Sequence, residues 1–342
     1  MKRIFILFLA LCLLLTGCGG TKKTTDTVFA MDTVMTLTVY GKTGATADLV
    51  LSECRKELYR LEDMLSVTDP DSQVARLNAG DSDALSSESR ELLRSALTGA
   101  ARTGGTFDPT LYALTDLWGF YDDAYSVPSE AELQAVRSCM GYEKLDIVNG
   151  EVTMPAGMGI DFGGIAKGYA AQKVLQIINS YIYADQAEAA VISLGGNVGL
   201  LGTKPDGSDW TVAVEKPDGS GDAMAVMHIP GGAYTYVVTS GAYQRYFEQD
   251  GKTYHHILDR ETGLPAKTNL QSVTIVAEDG PLADAFSTAL FVMGLEEAIA
   301  FWQSYVPEVD GDFDMVLFDG ETLYITPNIT IETQLPVREV TR

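Results

Sequence analysis

A chain of 342 residues with 46% hydrophobic and 21% charged residues can bury a large core as one domain or two, and this composition excludes a disordered or fibrous protein. Its 47 acidic against 24 basic side chains give a formal charge of −23, which argues against nucleic acid as a partner, because phosphate backbones are held by Lys and Arg. A small phosphorylated ligand stays compatible with that field, since a divalent cation or local backbone dipoles act at short range.

The first segment is set apart from the rest. Lys2 and Arg3 precede an apolar run over residues 4–15, followed by Leu15-Thr16-Gly17-Cys18. The run is short for a membrane span, and small residues ahead of a cysteine suit a lipoprotein cleavage box, so residues 1–17 are expected to be a signal peptide. Cys18 is then expected to be the lipidated N-terminus, residues 18–27 a polar tether, and the protein anchored on the extracytoplasmic face of the cell membrane. Of the other cysteines, Cys12 lies in the signal segment, and Cys54 and Cys139 have no metal-ligand spacing; a disulfide between them is permitted outside the cell, but two buried thiols are the expected reading.

Residues 27–40 alternate as a strand, most clearly from Val34 to Tyr40, and residues 47–65 place Leu51, Leu58, Leu61 and Leu65 at helical spacing. A helix is expected over 88–103, a segment opened by Asp108 after it, and a short helix from Ser129 to Cys139 with Glu132 in the capping-box position. Asn149-Gly150 reads as a hairpin turn. Residues 159–169, Gly-Ile-Asp-Phe-Gly-Gly-Ile-Ala-Lys-Gly-Tyr, read as strand, glycine turn and helix start, with the helix continuing to Ile178. Seven short strands between 190 and 258, helices over 281–293 and 295–304, and a hairpin at Asp319-Gly320 complete the pattern. The expected fold class is α+β: a largely antiparallel sheet with packed helices, one compact unit over 28–330, and a tail over 331–342.

Several clusters carry polar chemistry. Gly163 and Gly164 allow close backbone approach to an anion at a helix start, with Lys167 adding a cation. Ser193-Leu194-Gly195-Gly196-Asn197 is either a structural bulge or a backbone cradle for a flat or phosphorylated ligand. Thr239-Ser240-Gly241 is a turn with two hydroxyls. His255 and His256 are adjacent in a strand and face opposite sides, so one can enter a site and the other is expected at the surface. Asp284 and Thr288 share a helix face, and a carboxylate beside a hydroxyl is either a structural pair or a hard-oxygen site for magnesium shared with substrate phosphates.

Together with Ala30-Met31-Asp32-Thr33, Ser72, Leu77-Asn78 and Thr106-Phe107-Asp108-Pro109, these clusters occur in an order and spacing that resemble the FAD:protein FMN transferase family, ApbE, over nearly all of the chain after the signal. The resemblance implies an ApbE-like fold, a single compact catalytic unit with a central cleft across which FAD lies. It implies Mg2+ held by Asp284, Thr288 and the backbone carbonyl of Ala166, and a flavin nucleotide site lined by Met31, Asp108, Lys167, Gly195, Asn197, Ser240 and His256. The family reaction transfers FMN from FAD to a Thr or Ser hydroxyl and releases AMP. His256 is the expected base, with Asp284 as a second candidate. The implied partner is an acceptor flavoprotein carrying an Asp-x-x-Ser/Thr-Gly-Ala-Thr motif, such as a subunit of an ion-pumping electron-transport complex. Hydrolysis of FAD to FMN and AMP, or flavin binding without chemistry, are the alternative readings. Two positions depart from the family pattern: Arg260 follows the histidine segment where Asp-Pro is frequent, and Gln172 stands where an acid is frequent. Thr43-Gly44-Ala45-Thr46 echoes the acceptor motif but lacks its acid, Tyr40 standing there, and reads as a turn into the first helix.

Overall fold

The computed structural model describes residues 21–305 and 312–342, so Cys18 and the signal segment lie outside the described residues. The chain opens with a hairpin of β1 (Lys22–Ala30) and β2 (Thr33–Gly41) in continuous antiparallel register. The alternation over 27–40 is therefore two strands, folded at Met31-Asp32, whose φ angles of 49° and 56° are those of a two-residue I′ turn. Residues 22–27, expected as tether, form the first part of β1.

Helix α1 (Gly44–Leu65) begins at Thr43, whose hydroxyl accepts the Thr46 N–H, so the Thr43–Thr46 segment is a helix cap as read from sequence. Its buried stripe includes Val50, Cys54, Leu58, Leu61 and Leu65. Next come α2 (Gln73–Asn78), α3 (Ser87–Arg102), α4 (Tyr112–Leu117) and α5 (Glu130–Cys139), the last with the complete Ser129–Glu132 capping box. Strands β3 (Asp146–Val148) and β4 (Glu151–Thr153) form the hairpin at Asn149-Gly150, and α6 spans Ala166–Tyr183.

The approach to α6 is not a strand. Ile160 and Asp161 give their N–H groups to the Asn78 side chain and the Pro109 carbonyl, so loops rather than a sheet satisfy this backbone. Strands β5 (Ala187–Leu194), β6 (Asn197–Gly202), β7 (Trp210–Glu215), β8 (Ala223–Ile229), β9 (Gly232–Gly241), β10 (Tyr246–Gln249), β11 (Lys252–His255) and β12 (Ser272–Ala277) follow. Helices α7 (Gly280–Met293) and α8 (Leu295–Ser304) precede β13 (Phe313–Phe318), β14 (Leu323–Ile325), β15 (Ile331–Thr333) and β16 (Val337–Glu339).

A nine-stranded sheet runs β1-β2-β5-β6-β9-β12-β13-β14-β16 and is antiparallel except for the β14–β16 pair. One face packs on α1, α6 and α7 through a core containing Leu37, Leu58, Ile178, Val238, Ile275 and Leu290. The other face is covered in part by the three-stranded sheet β15-β8-β7, with Trp210, Met227, Val316 and Leu323 between them. A third cluster of Trp118, Phe120, Leu133, Phe247 and Leu258 joins α4 and α5 to β10. The expected α+β class holds. Residues 331–342 are not a loose tail: β15 and β16 are sheet members and Val340 is buried. Strands of three residues leave too little alternation to be read. Cys54 is buried, its thiol pushed up to about 12 by loss of solvent, whereas Cys139 is only half-buried, and the two are not bonded.

Candidate active site

One cleft of about 1230 Å³ is bordered by the β1–β2 turn, residues 106–108, the start of α6, the β5–β6 turn, the loop after β9, the segment after β11 and α7. It brings together Met31, Asp108, Ala166, Lys167, Gly195, Asn197, Ser240, His256, Asp284 and Thr288, which are contributed by segments spread over most of the chain.

Helices α6 and α7 meet backbone to backbone. A Cβ on Gly168 would stand 2.2 Å from the Gly280 carbonyl oxygen and 2.9 Å from Asp284 Cβ, so glycine sets this distance. Gly168 N–H donates to Asp284 Oδ2 at 2.8 Å, which locks the buried carboxylate. Asp284 Oδ1 makes no hydrogen bond to any described residue. Beside it, Ser240 Oγ lies 2.7 Å from Ser287 Oγ and 3.4 Å from Thr288 Oγ1. Among the described residues no group of three or more His, Cys, Asp or Glu side chains could hold a metal. One carboxylate oxygen, one hydroxyl and the Ala166 carbonyl, which keeps a second lone pair at the first position of α6, instead fit a hard ion that retains water or phosphate oxygens.

The β5–β6 turn places Gly195 at φ +58° and Gly196 at φ +94°, and a Cβ on Gly195 would meet Thr33 Oγ1 at 2.4 Å. Asn197 follows, 2% exposed, with its Nδ2 lacking a partner among the described residues. A buried amide donor left unpaired costs about 1–3 kcal/mol, so this group is suited to an acceptor atom of a ligand. The Met31-Asp32 turn is held by Glu62 on α1, whose Oε1 accepts the Met31 N–H at 2.7 Å.

His256 lies just past β11. Its backbone N–H donates to the Arg245 carbonyl, and its Nδ1 lies 3.1 Å from the same oxygen. A carbonyl only accepts, so Nδ1 carries the proton and Nε2 is the bare nitrogen. Burial, with the Lys167 charge adding to it, pushes the imidazole down to about 4. His255 does not reach the cleft: its Nε2 donates to the Ala266 carbonyl and its ring meets Phe291 edge-on. The histidine expected at the surface is thus half-buried, because the segment between β11 and Ala266 folds back over it.

The sequence profile of the ApbE family matches residues 31–311. The chain belongs to the ApbE family. It is 34% identical over 320 residues to the FAD:protein FMN transferase of Treponema pallidum, covering 87% of this chain and 86% of the relative. It is 32% identical over 310 residues to that of Vibrio cholerae, with 87% and 90% covered. Among solved structures, the ApbE protein of Thermotoga maritima superposes with a TM-score of 0.77 at 31% identity, over 91% of this chain and 97% of that one. The flavinyl transferase ApbE of Pseudomonas stutzeri does so with 0.73 at 29%, over 92% and 95%.

Within this ApbE fold, Asp108 departs from the expectation of a ligand-facing carboxylate. Oδ1 accepts from the Thr110 N–H and hydroxyl, and Oδ2 from the Tyr142 N–H and from Arg260 Nη1 at 2.8 Å. The Asp108 side chain has no exposure, so the residue borders the cleft while its carboxylate ties three loops together. Arg260, the unusual residue of this ApbE chain, is its counter-charge, and also reaches Glu143 and the Tyr142 ring. Asp108→Ala is expected to cost about 2–4 kcal/mol in denaturant unfolding, because it leaves the Thr110 and Tyr142 N–H groups without their acceptor and removes one of the carboxylates that pair with Arg260. A loss below about 1 kcal/mol would show that these loops do not depend on it.

Sequence reasoning missed two groups on the cleft wall. Tyr121 O–H donates to Asp161 Oδ2 at 2.6 Å, while Asp161 Oδ1 accepts the Gly163 N–H at 2.7 Å and thereby shapes the glycine turn. Burial and the Asp161 charge hold the Tyr121 phenol well above its usual range. Asp161 stands in the 159–169 stretch that carries the glycine turn, but no pattern marks Tyr121, which arrives from a loop 40 residues away. Arg245 is the second: its guanidinium donates to the Phe120 carbonyl and pairs with Asp123 at 3.7 Å.

Proposed function

We propose that this chain transfers FMN from FAD to a Ser or Thr hydroxyl of an acceptor flavoprotein and releases AMP. Membership of a family whose relatives are named for that activity supports the reading. The observation that carries it is the bare Nε2 of a neutral His256 in the same cleft as Lys167 and the Asp284–Thr288–Ser240 cluster.

In the proposed step the acceptor oxygen forms a bond to the FMN-side phosphorus and the pyrophosphate P–O bond breaks, the bridging oxygen leaving with AMP. His256 Nε2 takes the hydroxyl proton, with Nδ1 anchored on the Arg245 carbonyl so that the ring keeps its tautomer. Lys167 offsets charge on the leaving phosphate. Asp284 has Oδ2 engaged by Gly168 N–H and Oδ1 free for a cation, which leaves the proton to His256. Mg2+, held by Asp284, Thr288 and the Ala166 carbonyl, supplies charge neutralisation at the pyrophosphate when bound. Asn197 Nδ2 and the Gly195 backbone suit polar edges of the nucleotide.

The short apolar run before Cys18 supports a lipid anchor on the extracytoplasmic face, and no described helix is long and apolar enough to cross a membrane. The acceptor is then an extracytoplasmic flavoprotein subunit of an electron-transport complex. Incubation with FAD, Mg2+ and a carrier domain bearing an exposed Asp-x-x-Thr-Gly-Ala-Thr segment tests the reading. Covalent flavin and AMP in equal amounts are expected. Free FMN would instead indicate hydrolysis, and unchanged FAD a binding protein.

A further inference from the structure

The cleft continues past the residues assigned above into a groove on the outer face of the large sheet. Its floor holds Phe29 and Val34, which are cross-strand partners 65% and 61% exposed, and Val198. Its wall is β7, whose Val212, Ala213 and Glu215 border the same cavity. Large apolar side chains so exposed beside a reaction cleft point to a partner rather than to a small ligand.

The wall has an open edge. Strand β7 is outermost in its sheet among the described residues. His228 of β8 donates its N–H to Thr330, away from β7, so its partner Thr211 points its own N–H and C=O to the open side. Ala213, two residues on, does the same. An exposed edge beside an apolar floor matches the way sheets capture extended peptides, with main-chain bonds giving affinity and alternate side chains meeting the floor.

We propose that the acceptor polypeptide docks as an added strand on the β7 edge, its alternate apolar side chains lying on Phe29 and Val34. This rests on the transfer reading: a polypeptide hydroxyl must reach the phosphates beside Lys167 and His256, and the groove is continuous with that cleft. Exposed Asp32 and Glu215 border it and favour Lys or Arg flanking the apolar positions of the segment.

The test compares Ala213→Pro, Ala213→Val and the double variant Phe29→Ser/Val34→Ser in the full chain, using the carrier domain with the Asp-x-x-Thr-Gly-Ala-Thr segment. Proline on an edge strand removes the outward N–H without breaking a β7–β8 bond, whereas valine keeps it. Ala213→Pro is expected to raise KM for the carrier about 10-fold, and the double variant about 5-fold or more, with Ala213→Val close to the parent. FAD affinity by flavin fluorescence and kcat at saturating carrier are expected to stay within about 2-fold. If Ala213→Pro does not fold, the double variant decides alone. Unchanged carrier KM in a folded double variant overturns the docking site while transfer stands. Absence of covalent flavin with the parent protein overturns transfer, and the docking site with it.

Discussion

Under the proposed transfer mechanism, Asp284→Asn is expected to lower the rate by at least about 10³-fold and to abolish its response to Mg2+, while the protein keeps nearly its parental stability. The asymmetry follows from the two oxygens. Oδ2 accepts the Gly168 N–H where α6 and α7 touch, and an asparagine carbonyl can still do so. Oδ1 is the oxygen with no donor among the described residues, and exchanging the carboxylate for an amide removes the charge a divalent ion needs. Asp284→Ala should lose activity equally but also about 1–3 kcal/mol of stability, since the Gly168 N–H is then buried without an acceptor. Steady-state rates over a magnesium titration, beside denaturant melts of both variants, make the comparison. An asparagine variant retaining a tenth or more of parental activity would sink the ligand assignment.

His256→Ala is expected to slow transfer about 10²–10⁴-fold with little change in FAD affinity, because in the proposed step the ring acts on the acceptor proton rather than on the nucleotide. Its pH behaviour is more diagnostic. A base works in its neutral form, and burial has lowered this imidazole to about 4. The rate should therefore be flat from about pH 5.5 to 7 and fall only below about pH 5, unlike a solvent-exposed histidine near 6.5. The same shift bears on folding: the unfolded histidine binds its proton near 6.5, so stability is present above that pH and is lost as pH falls towards 4. An acid limb centred near 6.5 in kcat, absent from the alanine variant, would falsify the buried-base geometry.

The longer helices were legible because their signals are local, whereas the six-residue α2 and α4 are too short to show a repeat. Thr43, Ser86 and Ser129 sit at their caps, and the apolar stripe of α1 repeats at 3.6 residues. The first hairpin was not, because its turn is Met31-Asp32 in place of the usual glycine or asparagine, and what stabilises it is Glu62, 31 residues away. The site residues were found as clusters, whereas their internal pairing was hidden. Asp108 finds Arg260 across 152 positions, and nothing local to either residue says that this carboxylate is consumed inside the wall. Asp284 and Thr288 could be placed on one helix face by spacing, but the lock on Oδ2 needed α6 to arrive against α7. Residues 331–342 escaped notice for a different reason: their strands are stabilised by long-range pairing rather than by any pattern of their own.

Because β1 starts at Lys22, a lipid anchor at Cys18 leaves only four residue steps of slack, about 14 Å when extended. The strand then carries the chain a further eight steps, about 27 Å, to the turn at the cleft mouth. More than half of the expected leash is thus part of a strand, and with the proposed anchor the mouth would stand no more than about 40 Å from the bilayer surface. An enzyme mounted this way searches a thin layer above one membrane leaflet. With the proposed anchor, acceptors would be selected by height as well as by sequence, and lengthening the segment before Lys22 should widen the set within reach.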